Sequence, residues 1–293
     1  MTDNDRLFRF IIENSNVRGE MVHLNASWQA VLQRTDYPPA VRTILGEALA
    51  ACALLAATIK FEGSLILQIR GDGPLHLLVA QSTAEGTVRG IARWHADVPE
   101  NGLKNIFGHA QIVITIEPPK HKIGAEAYQG IIALEGEKLG HAIENYFRQS
   151  EQLNTRLWLA ADETACGGFL LQELPGKTRD TDAWPRATQL SDTLSADEIL
   201  HLPATEVLHR LFHEEDVRLF DAEPVSFRCN CSRERIDAIL LSMGTEESHQ
   251  ILQEQGKISV DCEFCNAHYE YDAVDVDALF AGNPAPDNPP TRH

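Results

Sequence analysis

Cys229-Asn230-Cys231 and Cys262-Glu263-Phe264-Cys265 bracket thirty residues near the C-terminus, and these two tight pairs hold four of the six cysteines in a chain of 293 residues. Few large apolar residues surround them. Four thiolates arranged as a tetrahedron about one Zn²⁺, with Zn–S of about 2.3 Å, is a common structural site, and a close pair at each side of a short subdomain supplies it. Cys262-x-x-Cys265 has the ordinary spacing, whereas Cys229-x-Cys231 is one residue tighter. In an extended chain residues i and i+2 face the same side. Both sulfurs can therefore converge on one ion while Asn230 points away.

The same pairs are candidates for two local disulfides. An extended i, i+2 pair has Cα atoms roughly 6.5 to 7 Å apart, at the far edge of disulfide geometry, so Cys229 and Cys231 can bond only if the backbone contracts. Structural Zn²⁺ is worth about 10 to 16 kcal/mol of folding, whereas closing so short a loop gives only about 2 kcal/mol. A segment of about sixty residues with so few apolar groups does not hold itself together unstapled. On spacing alone the pairs read as a zinc site, a redox switch, or both in turn, and oxidation is expected to unfold the segment around them.

Charge narrows the partners. Residues 1–178 carry a net charge of −4 and residues 179–293 one of −14, out of −18 for the chain. Nucleic-acid binding draws its affinity from Lys and Arg on phosphates, so the acidic, cysteine-bearing half is not a nucleic-acid ribbon. The start, Met1-Thr2-Asp3-Asn4-Asp5, lacks the basic and then apolar layout of a secretory signal. The most apolar run, Ile44–Ile59, stops short of the ~18 to 20 residues that cross a bilayer. A cytoplasmic protein with no membrane or nucleic-acid partner is expected, and paired cysteines in such a chain bind metal or do redox chemistry.

Outward from the cysteines, the fold class is α+β. Residues 1–178 are expected to form a core domain with a mixed, mostly antiparallel sheet and packed helices. Strands are predicted at Leu7–Ile12, Val17–Leu24, Ser64–Arg70, Leu75–Ala80, Thr87–Trp94, Gln111–Glu117, Tyr128–Leu134, Arg156–Ala161 and Gly168–Glu173. A long helix opens at Pro38-Pro39 and carries Val41, Ile44, Leu45, Ala48, Leu49, Cys52, Leu55 and Ile59 on one face, and a second spans Glu137 to about Glu151. Residues 179–228 read as a helical, metastable linker. Ser195-Ala196-Asp197-Glu198 has capping-box spacing there, with a thin stripe of Leu200, Val207, Leu208, Leu211 and Phe212 following, and Val217–Phe227 extended. Residues 229–282 are the small zinc-binding domain, with helices from Ser232 and Thr245 ending at Gly244 and Gly256. The proline-rich stretch 283–293 reads as a disordered tail.

Phe227-Arg228-Cys229-Asn230-Cys231-Ser232-Arg233-Glu234-Arg235 and Val260-Asp261-Cys262-Glu263-Phe264-Cys265 resemble the redox-regulated bacterial heat-shock chaperonins of 33 kDa. Tyr146-Phe147-Arg148-Gln149-Ser150-Glu151-Gln152 and Gly167-Gly168-Phe169-Leu170-Leu171-Gln172 are similar to that family's core motifs. The resemblance implies an ATP-independent holdase, not an enzyme, that is inactive when reduced and bound to one Zn²⁺ per chain. Cys229, Cys231, Cys262 and Cys265 would be the zinc ligands of the reduced form. Cys229–Cys231 and Cys262–Cys265 would be the disulfides of the oxidised form. Peroxide with mild heat, or hypochlorous acid, would drive the change, releasing zinc, unfolding the C-terminal region and promoting a homodimer. Unfolding client proteins would be held until an Hsp70-type system refolds them.

Two other classes are compatible with the cysteines alone: a constitutive structural zinc interaction module, and a thiol-disulfide oxidoreductase working through Cys262-x-x-Cys265. The second normally needs a cysteine at a helix N-terminus in a βαβ fold, whereas Ile258-Ser259-Val260 and His268-Tyr269-Glu270-Tyr271 read as strands. Cys52 is expected to pack in the core, Cys166 to be a small residue at a turn, His268 to be a bystander, and Glu214-Glu215-Asp216 to be a solvated loop. Gly71-Asp72-Gly73-Pro74 lacks the third glycine of a dinucleotide fingerprint and reads as a hairpin turn.

Overall fold

The computed structural model describes residues 4–119, 126–176 and 180–282, so the predicted tail 283–293 lies outside the described residues. The chain divides after Arg228 into two compact units.

The first unit opens with the antiparallel hairpin β1 (Arg6–Ile12) and β2 (Val17–Leu24). Its turn is fixed by Ser15, whose hydroxyl donates to the Ile12 carbonyl (2.6 Å) and accepts from the Val17 N–H (3.1 Å). After α1 (Ala26–Leu32), α2 (Pro39–Thr58) starts with Pro39 in its first turn, where a missing N–H costs nothing. There follow β3 (Ser64–Gly71), β4 (Leu75–Thr83), β5 (Thr87–Trp94), α3 (Leu103–Phe107), β6 (Ala110–Glu117), β7 (Tyr128–Ala133) and α4 (Leu139–Tyr146). The helix expected to run on to Glu151 changes after Tyr146 into a π-helical turn, Phe147–Glu151, which ends at Gln152 in a left-handed conformation (φ +55°). Then come β8 (Thr155–Ala161), β9 (Cys166–Glu173), α5 (Ala183–Ser191), α6 (Ala196–His201), α7 (Ala204–Phe212), β10 (Val217–Leu219), β11 (Glu223–Pro224) and β12 (Ser226–Phe227).

The strands distribute over two sheets where the sequence suggested one. The first runs β10-β1-β2-β9-β8 with β11 also on β1, and the second runs β12-β5-β4-β3-β6-β7. Pairing is antiparallel except for β12 on β5. Helix α2 packs against strands of both sheets. It is 20 residues long, longer than the apolar run read from sequence and apolar enough to span a bilayer, yet 78% of its most apolar window is buried inside the protein. Its membrane-like composition reflects contact with apolar surface on two sides.

The first sheet is buried on both faces, which accounts for the unbroken apolar run in β9. Leu7, Val22, Leu24 and Leu170 face the α2 core. Their neighbours Phe8, Phe10, Met21, Phe169 and Leu171 face a second core closed by α5, α6 and α7, as the period of two along a strand requires. The stripe residues Leu200, Val207, Leu208, Leu211 and Phe212 are all buried in this second core, where Phe10 stacks on Phe169 with centroids 5.5 Å apart. The Ser195/Glu198 capping box is formed at α6. Glu215 is no free loop acid: it accepts from Arg186 Nε at 2.6 Å, and Arg186 also reaches Asp180 and Asp182.

The second unit comprises α8 (Arg233–Met243), α9 (Thr245–Gln255), the hairpin β13 (Ile258–Asp261) and β14 (His268–Tyr271), and α10 (Ala273–Gly282). Its core is six buried residues, Ile236, Leu240, Leu252, Ile258, Tyr271 and Val276. A core of this size is at the lower limit of what folds by burial alone, where staples are common.

Candidate metal centre

The sequence places one cysteine pair ahead of α8 and the other in the β13–β14 connection. In that connection the Cys262 N–H donates to the Ala267 carbonyl (2.9 Å), while the Cys262 carbonyl accepts from Cys265 (3.2 Å) and Asn266 (2.7 Å). Asn266 adopts φ +57°, the left-handed turn that Asn tolerates. This tight knuckle turns both sulfurs to one side. On the other side Arg235 Nη1 donates to the Asn230 carbonyl (2.9 Å), fixing the peptide between Cys229 and Cys231.

The four sulfurs lie within 4.8 Å of one another, and among the described residues they are the one such group of metal-ligating side chains. Cys229 Sγ is 3.6 Å from Cys262 Sγ, and Cys231 Sγ is 3.3 Å from Cys265 Sγ. A tetrahedron with metal–sulfur bonds of about 2.3 Å has edges of about 3.8 Å. A disulfide needs about 2.05 Å, and all six cysteines are free thiols. The residues therefore fit a closed four-thiolate site, the type that zinc fills in structural modules.

The electrostatics are uneven across the group. Burial pushes the Cys229 thiol up, but the Cys231 N–H and the neighbouring thiols outweigh it and bring Cys229 down to about 7. Burial pushes Cys262 up, and burial with the surrounding thiols takes Cys265 to about 12. Four thiolates this close repel one another, a repulsion that a bound cation would offset.

Tyr269 is a neighbour that the spacing argument did not identify. Its hydroxyl donates to Cys231 Sγ at 3.2 Å. The legible signal was alternation along β14, where Tyr269 and Tyr271 leave the strand on the same face two residues apart. Tyr271 is fully buried and donates to Asp237 Oδ1 at 2.7 Å. Arg233 lies over its ring at 4.2 Å and reaches Asp275 at 3.1 Å, so this arginine supports the scaffold. His268 pairs with Asp261 (2.7 Å) and Glu270 (3.3 Å) and is outside the sulfur group.

The other two cysteines belong to the first unit and are not part of the sulfur group. Cys52 is fully buried in α2, its sulfur 3.4 Å from the carbonyls of Leu65 and Ala80, and burial pushes its thiol up to about 12. Cys166 is the first residue of β9 and fully buried, where a turn had been expected. Burial raises its thiol well above the usual range, which leaves both inert. Gly71 to Pro74 form the β3–β4 turn: Gly73 N–H donates to the Phe107 carbonyl (2.8 Å) and Asp72 accepts from His109 N–H (2.7 Å).

The family model described as "Hsp33 protein" matches residues 5–272. The 33 kDa chaperonin of Nitrosococcus oceani is 51% identical over 293 residues, covering 100% of both chains. That of Chromobacterium violaceum is 46% identical over 281 residues, covering 96% of this chain and 95% of its own. The crystal structure of the 33 kDa chaperonin of Thermotoga maritima superposes with a TM-score of 0.82 at 22% identity, covering 95% of this chain and 98% of that one. That likeness concerns the fold.

Proposed function

The chain belongs to the Hsp33 family of chaperones, and from that premise we propose that it is a redox-regulated, ATP-independent holdase whose switch is the four-cysteine group. The carrying observation is that all four sulfurs lie within 4.8 Å of one another in a unit whose core is six residues. Cys229, Cys231, Cys262 and Cys265 are the ligands of one Zn²⁺ in the reduced state. When bound, the ion supplies the positive charge that holds four thiolates together and ties the Cys229–Cys231 segment to the β13–β14 knuckle.

Oxidation removes that tie. Two thiolates of a pair lose two electrons and join as a disulfide, and the oxidant, a peroxide or hypochlorous acid, is reduced to water or to chloride and water. The bonds form as Cys229–Cys231 and Cys262–Cys265, and each closes a loop within its own segment. Neither replaces the link across the unit. The small core does not persist alone, and the second unit unfolds.

The domain scheme follows the same logic. Residues 1–178 are the stable core, 179–228 a metastable linker and 229–282 the switch. Loss of the switch releases the linker, which begins after β9 and ends at the two-residue β12–β5 pairing directly before Cys229. The uncovered face of the first sheet and the linker's own apolar stripe then offer surface to unfolding proteins. The activated form is a cytoplasmic homodimer, acting in the stress response and passing clients to an Hsp70-type system, with no nucleic-acid or membrane partner and no catalytic turnover.

The test is light scattering of a thermally unfolding client with the reduced zinc protein, the peroxide-treated protein, and the oxidised protein after thiol reduction with zinc restored. Suppression in the second state alone is the expected result. Equal suppression in all three would favour a constitutive module, and multiple turnovers in a disulfide-exchange assay would favour an oxidoreductase.

A further inference from the structure

Strand β7 is the last strand of the second sheet, and among the described residues nothing pairs with its outer edge. Its sequence, Tyr128-Gln129-Gly130-Ile131-Ile132-Ala133, contains no charge and no proline, the devices that usually blunt an edge. Ile131 is 56% exposed and Tyr128 49%.

A cavity of about 390 Å³ lies beside the same strand, walled by Leu55, Ile59, Leu65, Ile114 and Ile116 and by Tyr128 itself. The π-helical turn contributes Phe147 and Glu151 to the lining; such turns are frequent at functional sites. Tyr146 closes on Gly130 so tightly that a Cβ there would meet its hydroxyl at 2.7 Å. The polar groups of the lining are already paired. Arg18 donates to the Thr58 carbonyl (2.9 Å) and to Gln172 Oε1, and Tyr128 and Tyr146 both donate to Glu151 (3.2 and 3.1 Å). What remains for an occupant is apolar wall.

The edge and the cavity meet at Tyr128. An open row of backbone donors and acceptors is satisfied by another strand, and pockets beside such an edge select side chains. We propose that the β7 edge and this cavity together receive an extended, uncharged segment of an unfolding polypeptide, whose backbone adds as a strand to β7 while one large apolar side chain enters the cavity. The proposal rests on the chaperone reading and deepens it by naming a contact site; because the site lies wholly in the first unit, a short peptide can enter it in either redox state, whereas holding a whole unfolding client also needs the surface that oxidation uncovers.

The test therefore uses the full chain, reduced and zinc-loaded, so that failure of the redox switch and failure of this site are separate results. The probe is a fluorescein-labelled peptide, acetyl-Gly-Thr-Val-Phe-Val-Thr-Gly-amide, followed by anisotropy. Replacing its Phe by Ala, or methylating alternate backbone nitrogens, is expected to weaken binding about tenfold, the scale of one buried aromatic side chain. Ile131→Lys, an exposed change, and Leu153→Trp, which fills the cavity, are each expected to do the same. Absence of binding, equal binding of the methylated or Ala peptides, or full binding to I131K would overturn the proposal even if L153W failed to fold. A β7-mediated dimer that sedimentation shows dissociating in I131K, with peptide binding unchanged, would assign the edge to a second copy of the chain and overturn it equally.

Discussion

Cys231 Sγ lies 3.3 Å from Cys265 Sγ, a contact between residues thirty-four positions apart that joins the strand end to the segment ahead of α8. The Cys229–Cys262 contact at 3.6 Å crosses in the same sense. Each sulfur is thus in contact with the opposite pair, which is what a shared ion requires and what a disulfide within a pair undoes. Cys265→Ser is expected to abolish stoichiometric zinc and to unfold the second unit, since the lost metal is worth about 10 kcal/mol or more of folding. The tryptophans all lie between positions 28 and 184, so near-UV circular dichroism of the first unit should be retained. Zinc content near one per chain in C265S would refute the four-ligand assignment.

The Tyr269 hydroxyl bonded to Cys231 Sγ quiets that sulfur. Tyr269→Phe keeps the ring and removes the donor. Zinc affinity is expected to fall about tenfold, the usual effect of losing a group that supports a ligand, and peroxide is expected to oxidise the protein several times faster. Competition against a chromophoric chelator and thiol counting measure the two; unchanged values would reduce Tyr269 to packing.

Phe212 sits between Phe10 (6.1 Å) and Phe169 (6.4 Å) and is 2% exposed. Phe212→Ala is expected to cost about 3 kcal/mol, and the loss should fall on α5 to α7. Hydrogen exchange across residues 183–212 should accelerate while α2 stays protected. A loss spread evenly through the first unit would contradict a separable linker.

Glu20 is a carboxyl buried in the first sheet, with Arg9 Nε at 3.9 Å and Oε2 without a hydrogen-bond partner. Burial pushes its pKa from 4.5 to about 7 against the pull of Arg18 and Arg9. A raised folded-state value means that the folded state holds the proton more tightly than the unfolded chain. Its contribution to stability is complete below about 4.5 and is lost as pH rises through about 7. Glu20→Gln is expected to be nearly neutral at pH 4 and stabilising by up to about 3 kcal/mol at pH 8, read by urea unfolding with tryptophan fluorescence. A variant that loses stability at pH 8 would contradict the sign.

Much of this was legible in the chain. Alternation and turn residues located β1 to β9 to within a few residues, because each strand is a contiguous local pattern. The cysteine spacing located the sulfur group because knuckle geometry is also local. The division of strands into two sheets was not legible, since it depends on α2 being apolar all round and separating them, a property that sequence shares with a membrane helix. The short α1 and α3 have no bond from their own N-cap side chains, and the first N–H groups of α1 are instead capped by the Asp5 carboxylate, twenty-one residues upstream, so no adjacent start residue announced them. Tyr269 was missed because its role comes from strand pairing across the knuckle. Arg233 braces Tyr271 across the second unit, a contact that its place in the cysteine motif does not announce.

The central claim is that the second unit is folded by its metal and that local disulfides do not replace it. The direct measurement is one peroxide time course on the full chain, with zinc release, disulfide mapping and hydrogen exchange of residues 229–282 sampled at the same points. The account requires zinc loss, formation of Cys229–Cys231 and Cys262–Cys265, and collapse of protection in α8, α9 and the β13–β14 hairpin to proceed with one rate. Protection that persists after both disulfides have formed and zinc has left would contradict it.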